Sequence, residues 1–248
     1  MAAIRWQFWL GLSFFTSVVM ATLAGAIWLY YLAMDANQVP INKLVVQGEL
    51  VYLERSDVRA LLTGEPLGSF FSADVNEIRQ RLEQMPWVEQ ASVRKEWPDV
   101  LQVFIVERQP LGYWNAKQRP NALVSTKGRV FEADVSRIEV LLPYFEGPEN
   151  AVLETLEYYQ QVHELLKING HQITALRLSE RFSVEVDLLA GITLRLGREA
   201  IVERVQRFID LFPQIVRQRA TPIAYVDLRY DTGVAVGWKQ PTEKQERE

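Results

Sequence analysis

A continuous apolar segment from Trp6 to Met34 constrains this chain more than any other feature of its sequence. Between Arg5 and Asp35 the segment carries no charge, and its single side-chain amide belongs to Gln7. It is longer than the roughly 20 apolar residues that a helix needs to cross a bilayer. The segment therefore predicts a transmembrane helix, which decides where the rest of the chain is found.

Two interpretations of this segment compete, a retained span and a cleaved secretory signal. Ala24-Gly25-Ala26 resembles a cleavage site, but the apolar region of a signal runs to only about 7–15 residues. Cleavage there would also leave an apolar new N-terminus. We expect a retained helix over residues 6–34, with residues 1–5 in the cytoplasm because Arg5 and the α-amino group favour that side. The chain would then be a single-pass type II membrane protein with its bulk outside the cytoplasm.

Composition excludes several classes of function for the remaining residues. Hydrophobic residues make up 48% of the chain and charged residues 23%, which predicts a folded domain rather than disorder. The chain has no cysteine, so disulfides, thiolate nucleophiles and cysteine metal sites are excluded. A net charge of −4 argues against general nucleic-acid binding, which needs a basic surface.

Residues 40–108 have the pattern of a small β-α-α-β-β module. A β-branched strand closed by Gly48 precedes a short helix that Ser56 can cap. A second amphipathic helix ends at Pro86. After it the spacing of the apolar residues changes from a period of 3.6 to a period of two, which predicts a pair of strands joined by a turn at Pro98-Asp99. This size suits an independent module.

Residues 110–238 predict a second α/β domain with a mostly antiparallel sheet, which gives the ectodomain an α+β fold class. Its expected strands are 122–125, 129–131, 173–178, 183–188, 192–196, 223–230 and 234–238, with helices from about 149 to Asn169-Gly170 and from 201 to Pro213. Asp231-Thr232-Gly233 closes the last two strands into a hairpin. The polar tail at 239–248 is expected to be disordered.

The sequence offers little that could support catalysis or bind a metal. The only histidines, His163 and His171, fall near an apolar helix stripe and in the turn after it, where structural roles are expected. No serine elbow or phosphate-binding loop is present. Glu185 and Asp187 alternate with apolar residues, as on a solvated strand face rather than in an acid/base pair. We expect no enzyme, no cofactor and no metal.

Three arginines outside the closing hairpin have different expected roles. Arg204 and Arg207 suit the solvent side of the late helix. Arg181 lies just before a strand and could meet a carboxylate of a partner.

The closing hairpin, Arg229 to Trp238, is the best candidate for a binding surface. A C-terminal strand is often an edge strand, on which another chain can add a strand through its free backbone groups. Tyr230, Trp238 and Arg229 also belong to the residue types enriched at binding hot spots. An ordinary hairpin with half-buried aromatic residues is the alternative interpretation.

Three motifs are specific enough to compare with known families: PWVEQASVRKEWPD at Pro86 to Asp99, LGR at Leu196 to Arg198, and YVDLRYDTGVAVGW at Tyr225 to Trp238. They resemble the FtsQ/DivIB family of bacterial cell division proteins, in its gammaproteobacterial form. The resemblance also covers the order of a short end, one span, a module like a POTRA domain and a second α/β domain. A very short cytoplasmic segment and a short tail depart from the best-known members.

The resemblance implies a non-enzymatic scaffold of the septal divisome, held in the bacterial inner membrane with its bulk in the periplasm. It implies binding of FtsB and FtsL through the edge strand, with FtsK, FtsW, FtsI and FtsN as further partners. The residues that match the FtsB-binding surface are Arg229, Tyr230, Thr232, Gly233 and Trp238, with Arg181 nearby. Gln90, Val93 and Lys95 match a surface that an upstream partner such as FtsK would use.

Two other functions compete with this expectation. One is a membrane-anchored interaction protein of another POTRA-containing assembly system, for which a following β-barrel would be the sequence marker. The other is a tethered periplasmic enzyme acting on the cell wall, which would require a convergent pair of carboxylates or a nucleophile with its base.

Overall fold

The computed structural model describes residues 6–35, 37–64, 67–218, 220–230 and 233–239. Within them the chain forms two compact units, which divide between Arg108 and Gln109. The predicted cytoplasmic end at 1–5 and the tail from 240 lie outside the described residues.

The apolar N-terminal segment forms one uninterrupted helix, α1, at Trp6–Met34. Its 29 residues correspond to a length of about 43 Å at 1.5 Å per residue. None of its most apolar window is buried inside the protein, and it is long and apolar enough to cross a membrane. The side chains of this apolar window are therefore free to face lipid.

The rest of the first unit has the predicted β-α-α-β-β order. Its elements are β1 (Lys43–Gln47), α2 (Arg55–Thr63), α3 (Val75–Glu83), β2 (Val88–Glu96) and β3 (Val100–Glu107). The sheet order is β1-β3-β2, with β1 parallel and β2 antiparallel to the central β3. Leu101, Val103 and Ile105 of β3 are buried, whereas the alternate residues Phe104 and Val106 are exposed on the other face.

The start of α2 differs from the sequence prediction, because Glu54 and not Ser56 is its N-cap. Glu54 has an extended backbone and forms a capping box with Asp57: the side chain of each residue accepts a hydrogen bond from the backbone N–H of the other. The Ser56 hydroxyl donates to the Glu54 carboxylate at 2.8 Å. Ser56 therefore supports the cap rather than forming it.

A buried carboxylate ties the loop after β1 to the central strand. Glu107 accepts backbone N–H bonds from Val51 at 2.8 Å, Tyr52 at 2.8 Å and Leu53 at 2.6 Å. Only 4% of Glu107 is exposed. A buried carboxylate needs such donors because it has lost its hydration, so the loop and the strand depend on each other.

The second unit is a sheet of nine strands with two long helices. Its elements are β4 (Pro110–Trp114), β5 (Ala122–Ser125), β6 (Val130–Glu132), β7 (Tyr144–Glu146), α4 (Val152–Ile168), β8 (Ile173–Leu178), β9 (Val184–Leu188), β10 (Thr193–Gly197), α5 (Ile201–Gln218), β11 (Ile223–Asp227) and β12 (Ala235–Trp238). A 3-10 turn at Val135–Arg137 precedes β7. The sheet order is β12-β11-β10-β9-β8-β7-β4-β5-β6. Most neighbours are antiparallel; β4 with β7, β7 with β8, and β10 with β11 are parallel.

Two parts of this unit differ from the sequence prediction. Strands β4 and β7 were not predicted. Helix α5 does not end at Pro213 but continues to Gln218. Proline removes one helical hydrogen bond, yet Ile215 in the extra turn is only 4% exposed, and its burial favours continuation of the helix.

Candidate functional site

Strand β12 forms one edge of the nine-stranded sheet and, within the described residues, pairs only with β11. The Lys239 N–H donates to the Pro222 carbonyl at 2.8 Å, so the backbone of Lys239 is turned toward β11. Backbone groups alternate along a strand, and Val236, three residues earlier, therefore turns its N–H and C=O away from the sheet. The edge offers main-chain groups to a further strand.

Aromatic side chains lie at the two ends of this edge. Tyr230 follows β11 and is 58% exposed. Trp238 pairs with Ile223 at the other end, is half-buried and packs against the core. Gly233 lies just before β12, and Thr232 lies outside the described residues. We call residues 229–230 and 233–238 the edge segment, and four of the predicted residues, Arg229, Tyr230, Gly233 and Trp238, thus belong to it.

Arg229 is held by a fork of hydrogen bonds to Asp227. Its Nε and Nη2 donate to the carboxylate at 2.9 and 2.6 Å, and its backbone N–H donates at 3.1 Å. These bonds from Arg229 hold the pKa of the Asp227 carboxyl below its usual value, against the opposing effect of burial. The Arg229 side chain remains 54% exposed and can therefore contact a partner.

The sequence predicted that Arg204 and Arg207 of α5 face solvent. In the structure both donate hydrogen bonds to backbone carbonyls. Arg207 Nη1 donates to the Tyr230 carbonyl at 2.7 Å. Arg204 donates to the Leu196 carbonyl at 2.5 Å and to the Arg229 carbonyl at 3.4 Å. The helix therefore fixes the backbone on which the exposed tyrosine sits. Sequence reasoning missed this role because the pairing spans more than 20 residues along the chain.

Gly237 of β12 is packed against the ring of Tyr225 on β11. A Cβ at this position would overlap that ring. The Arg195 guanidinium carbon lies 4.2 Å from the centre of the Tyr225 ring, which is cation–π geometry. The edge strand is therefore coupled through Tyr225 to the charged face of the sheet.

Glu185 and Asp187 belong to a half-buried ionic network and not to a simply solvated face. Arg177 Nη2 donates to Asp187 at 2.9 Å, and Thr193 Oγ1 donates to it at 2.7 Å. Burial raises the pKa of the Asp187 carboxyl, but these bonds outweigh it and the net shift is downward. Arg195 lies 3.6 Å from Glu185. Both carboxylates therefore have structural partners.

Arg181 lies exposed in the turn between β8 and β9. The register pairs Leu178 with Val184 and Val184 with Gly197, so this turn is at the same end of the sheet as the end of β11. Two to three strand spacings, roughly 10–15 Å, separate it from Arg229. Arg181 is near the edge segment but not part of it.

Gln90, Val93 and Lys95 all lie on β2, at one edge of the three-stranded sheet. Gln90 pairs with the exposed Val106, whereas Val93 and Lys95 pair with the buried Val103 and Leu101. The structure thus brings them to one edge but to different faces.

Both histidines contact aromatic rings. His163 stacks on Tyr159 with ring centres 4.8 Å apart, and His171 packs against Phe208 and Phe212. Burial lowers the pKa of His171. Across the described residues, no group of three or more histidines and carboxylates could hold a metal ion.

Two family models match the chain. The model for the C-terminal domain of cell division protein FtsQ/DivIB matches residues 112–229, and the model for the FtsQ-type POTRA domain matches residues 39–108. Strand β12 lies beyond the first match.

Curated relatives cover nearly the whole chain. Cell division protein FtsQ of Shewanella oneidensis is 41% identical over 235 residues, which are 95% of this chain and 88% of the relative. The protein of the same name from Vibrio cholerae is 36% identical, over 92% of this chain and 86% of the relative. The protein of the same name from Escherichia coli is 38% identical, over 82% of this chain and 75% of the relative.

Proposed function

The chain belongs to the FtsQ/DivIB family of cell division proteins, and on that premise we propose that it is a non-enzymatic scaffold of the bacterial divisome. It is a single-pass membrane protein with a POTRA domain. Its second domain binds FtsB and FtsL by accepting a strand at β12 and so links early and late division proteins at the septum. FtsW, FtsI and FtsN are recruited through the same assembly.

The open edge of β12 is the observation that carries this proposal. Main-chain groups such as those of Val236 supply affinity for any extended segment. Selectivity comes from the side chains at the ends of the edge, Tyr230 and Trp238, and from the exposed part of Arg229. Arg181 supplies a charge at the same end of the sheet as Tyr230.

The membrane topology forms part of the same proposal. Arg5 and the α-amino group keep the N-terminus in the cytoplasm, so that both domains lie in the periplasm. The β2 edge, with Gln90, Val93 and Lys95, is the contact for an upstream partner such as FtsK.

Titration of the purified full chain with an FtsB–FtsL ectodomain complex tests the strand-addition site. A hot-spot side chain contributes about 2 kcal/mol or more, so Tyr230→Glu is expected to weaken binding by about 30-fold. Trp238→Ala is expected to weaken it as well. Circular dichroism should be unchanged for Tyr230→Glu because its side chain is exposed.

Tyr144→Glu is the matched control, since Tyr144 is 48% exposed on strand β7 in the middle of the sheet. The Tyr144→Glu variant should bind the FtsB–FtsL ectodomain complex with the same affinity as the unaltered chain. Equal affinity of the Tyr230 and Tyr144 variants would remove the edge segment from the binding site.

A further inference from the structure

The turn before α3 is hydrogen-bonded to the end of the membrane helix. Ser69 Oγ donates to the Ala33 carbonyl in the last turn of α1 at 2.8 Å. The Phe70 N–H donates to the Val39 carbonyl at 2.8 Å. The turn at residues 69–72 therefore lies directly beside the point at which the chain leaves α1.

The length of α1 sets the depth of this turn relative to the membrane. A helix of about 43 Å matches the 40–45 Å of a bilayer with its headgroups and exceeds the roughly 30 Å hydrocarbon core. The last turn of α1, which begins at Tyr30 and Tyr31, is then in the headgroup layer on that side. Tyrosine is enriched at this depth, which agrees with the placement.

Two exposed aromatic side chains lie at this end of the first unit. Phe71 is 51% exposed and Trp97, at the tip of the β2–β3 hairpin, is 78% exposed. Lys95 Nζ donates to the Phe71 carbonyl at 3.0 Å, which joins the end of β2 to the turn. The Asn42 N–H donates to the Asp99 carbonyl at 3.0 Å, which joins the hairpin tip to the segment arriving from α1.

From this arrangement we propose that Phe71 and Trp97 insert into the headgroup layer and dock the POTRA domain on the bilayer surface. Aromatic rings prefer this layer because it accepts both their apolar faces and, for Trp97, the indole N–H. Charge contributes little, because the residues next to Trp97 in the chain carry both signs. They are Arg94 and Lys95 against Glu96 and Asp99.

Site-directed spin labelling tests the proposal, and the absence of cysteine makes single labels straightforward. Nitroxides are placed by Phe71→Cys and Trp97→Cys in the full chain, reconstituted in lipid nanodiscs. Phe104→Cys is the control, since Phe104 is 50% exposed on the face of the sheet away from the helices. Accessibility to a water-soluble nickel complex should be several-fold lower at 71 and 97 than at 104.

A second variant separates lipid contact from mere shielding by the protein. In the chain labelled at 71, Trp97→Asp should raise nickel accessibility, whereas Phe104→Asp should leave it unchanged. Circular dichroism verifies that both variants fold.

The lipid composition identifies the source of the attraction. Nanodiscs of phosphatidylcholine alone and of phosphatidylcholine with phosphatidylglycerol should give the same protection at 71 and 97. Equal accessibility at 71, 97 and 104 would overturn the proposal. Protection that requires phosphatidylglycerol would overturn the assignment to aromatic rings.

Discussion

At the scale of single residues, the edge segment depends on close packing as much as on charge. Gly237 leaves space for the Tyr225 ring, and the Arg195 guanidinium carbon lies 4.2 Å from the centre of that ring. Asp227, only 4% exposed, holds Arg229 in place. Each of these contacts joins β12 or its neighbouring loop to a strand deeper in the sheet.

Replacement of Gly237 by alanine is expected to destabilise the second domain by about 1–3 kcal/mol, since an inserted methyl group must displace the Tyr225 ring. Urea unfolding of the full chain measures this loss. Gly233→Ala is the matched control, because a Cβ there meets nothing within 4 Å. Combining Gly237→Ala with Tyr225→Ala should cost less than the sum of the two changes. Strict additivity would contradict the packing argument.

The Asp227–Arg229 pair is expected to make stability depend on pH in acid. Because the pKa of Asp227 is lowered in the folded state, its contribution is complete above the unfolded value of about 3.9 and is lost as pH falls through the folded value. The difference in unfolding free energy between the unaltered chain and Asp227→Asn should therefore be greatest at neutral pH. This difference in unfolding free energy should become smaller below about pH 4. A difference that stays constant between pH 7 and pH 3 would exclude this linkage.

At the scale of elements, local patterns predicted most of the structure. The first unit, α4 and the closing strands were predicted because their periodicity, caps and turns are local. Strands β4 and β7 were missed because β7 has three residues and both pair in parallel with strands distant in sequence. The Asp231–Gly233 turn suggested the edge segment, but nothing local indicated that Arg207 would hold it.

Strand addition at β12 gives a prediction for its main chain. Val236→Pro removes the outward N–H, and proline is tolerated at such positions of an edge strand. Binding of the FtsB–FtsL ectodomain complex should weaken at least about fivefold, the equivalent of one hydrogen bond of about 1 kcal/mol. Val236→Ala trims the side chain but keeps the N–H, so isothermal titration should find most of the affinity retained. Similar losses in both variants would argue against main-chain recognition.

At the scale of the whole molecule, each unit has its own buried core, and we expect the two units to unfold separately. Glu107→Ala leaves three backbone N–H groups of the 51–53 loop without their acceptor. Such a group costs about 1–3 kcal/mol when it is buried, as that of Leu53 is, and the first unit should lose at least about that much.

Hydrogen exchange measured by mass spectrometry on the full chain tests this separation. Amide protection in residues 43–107 should fall in Glu107→Ala, and protection in β8 to β11 should stay unchanged. Glu132→Ala removes an exposed carboxylate of the second unit. This control should leave amide protection unchanged in both units. Loss of protection in both units of Glu107→Ala would mean that they unfold as one.

The hydrogen bonds from α5 to the carbonyls of Arg229 and Tyr230 bear on the thermodynamics of recognition. A loop that is free in solution must give up its conformational entropy when it binds, at a cost of about 0.5–1.5 kcal/mol for each immobilised side chain and more for the backbone. Arg204 and Arg207 have already restricted this backbone during folding. Under the proposed strand addition, an incoming strand would therefore meet a preorganised docking surface, and most of the ordering on association would fall to the partner.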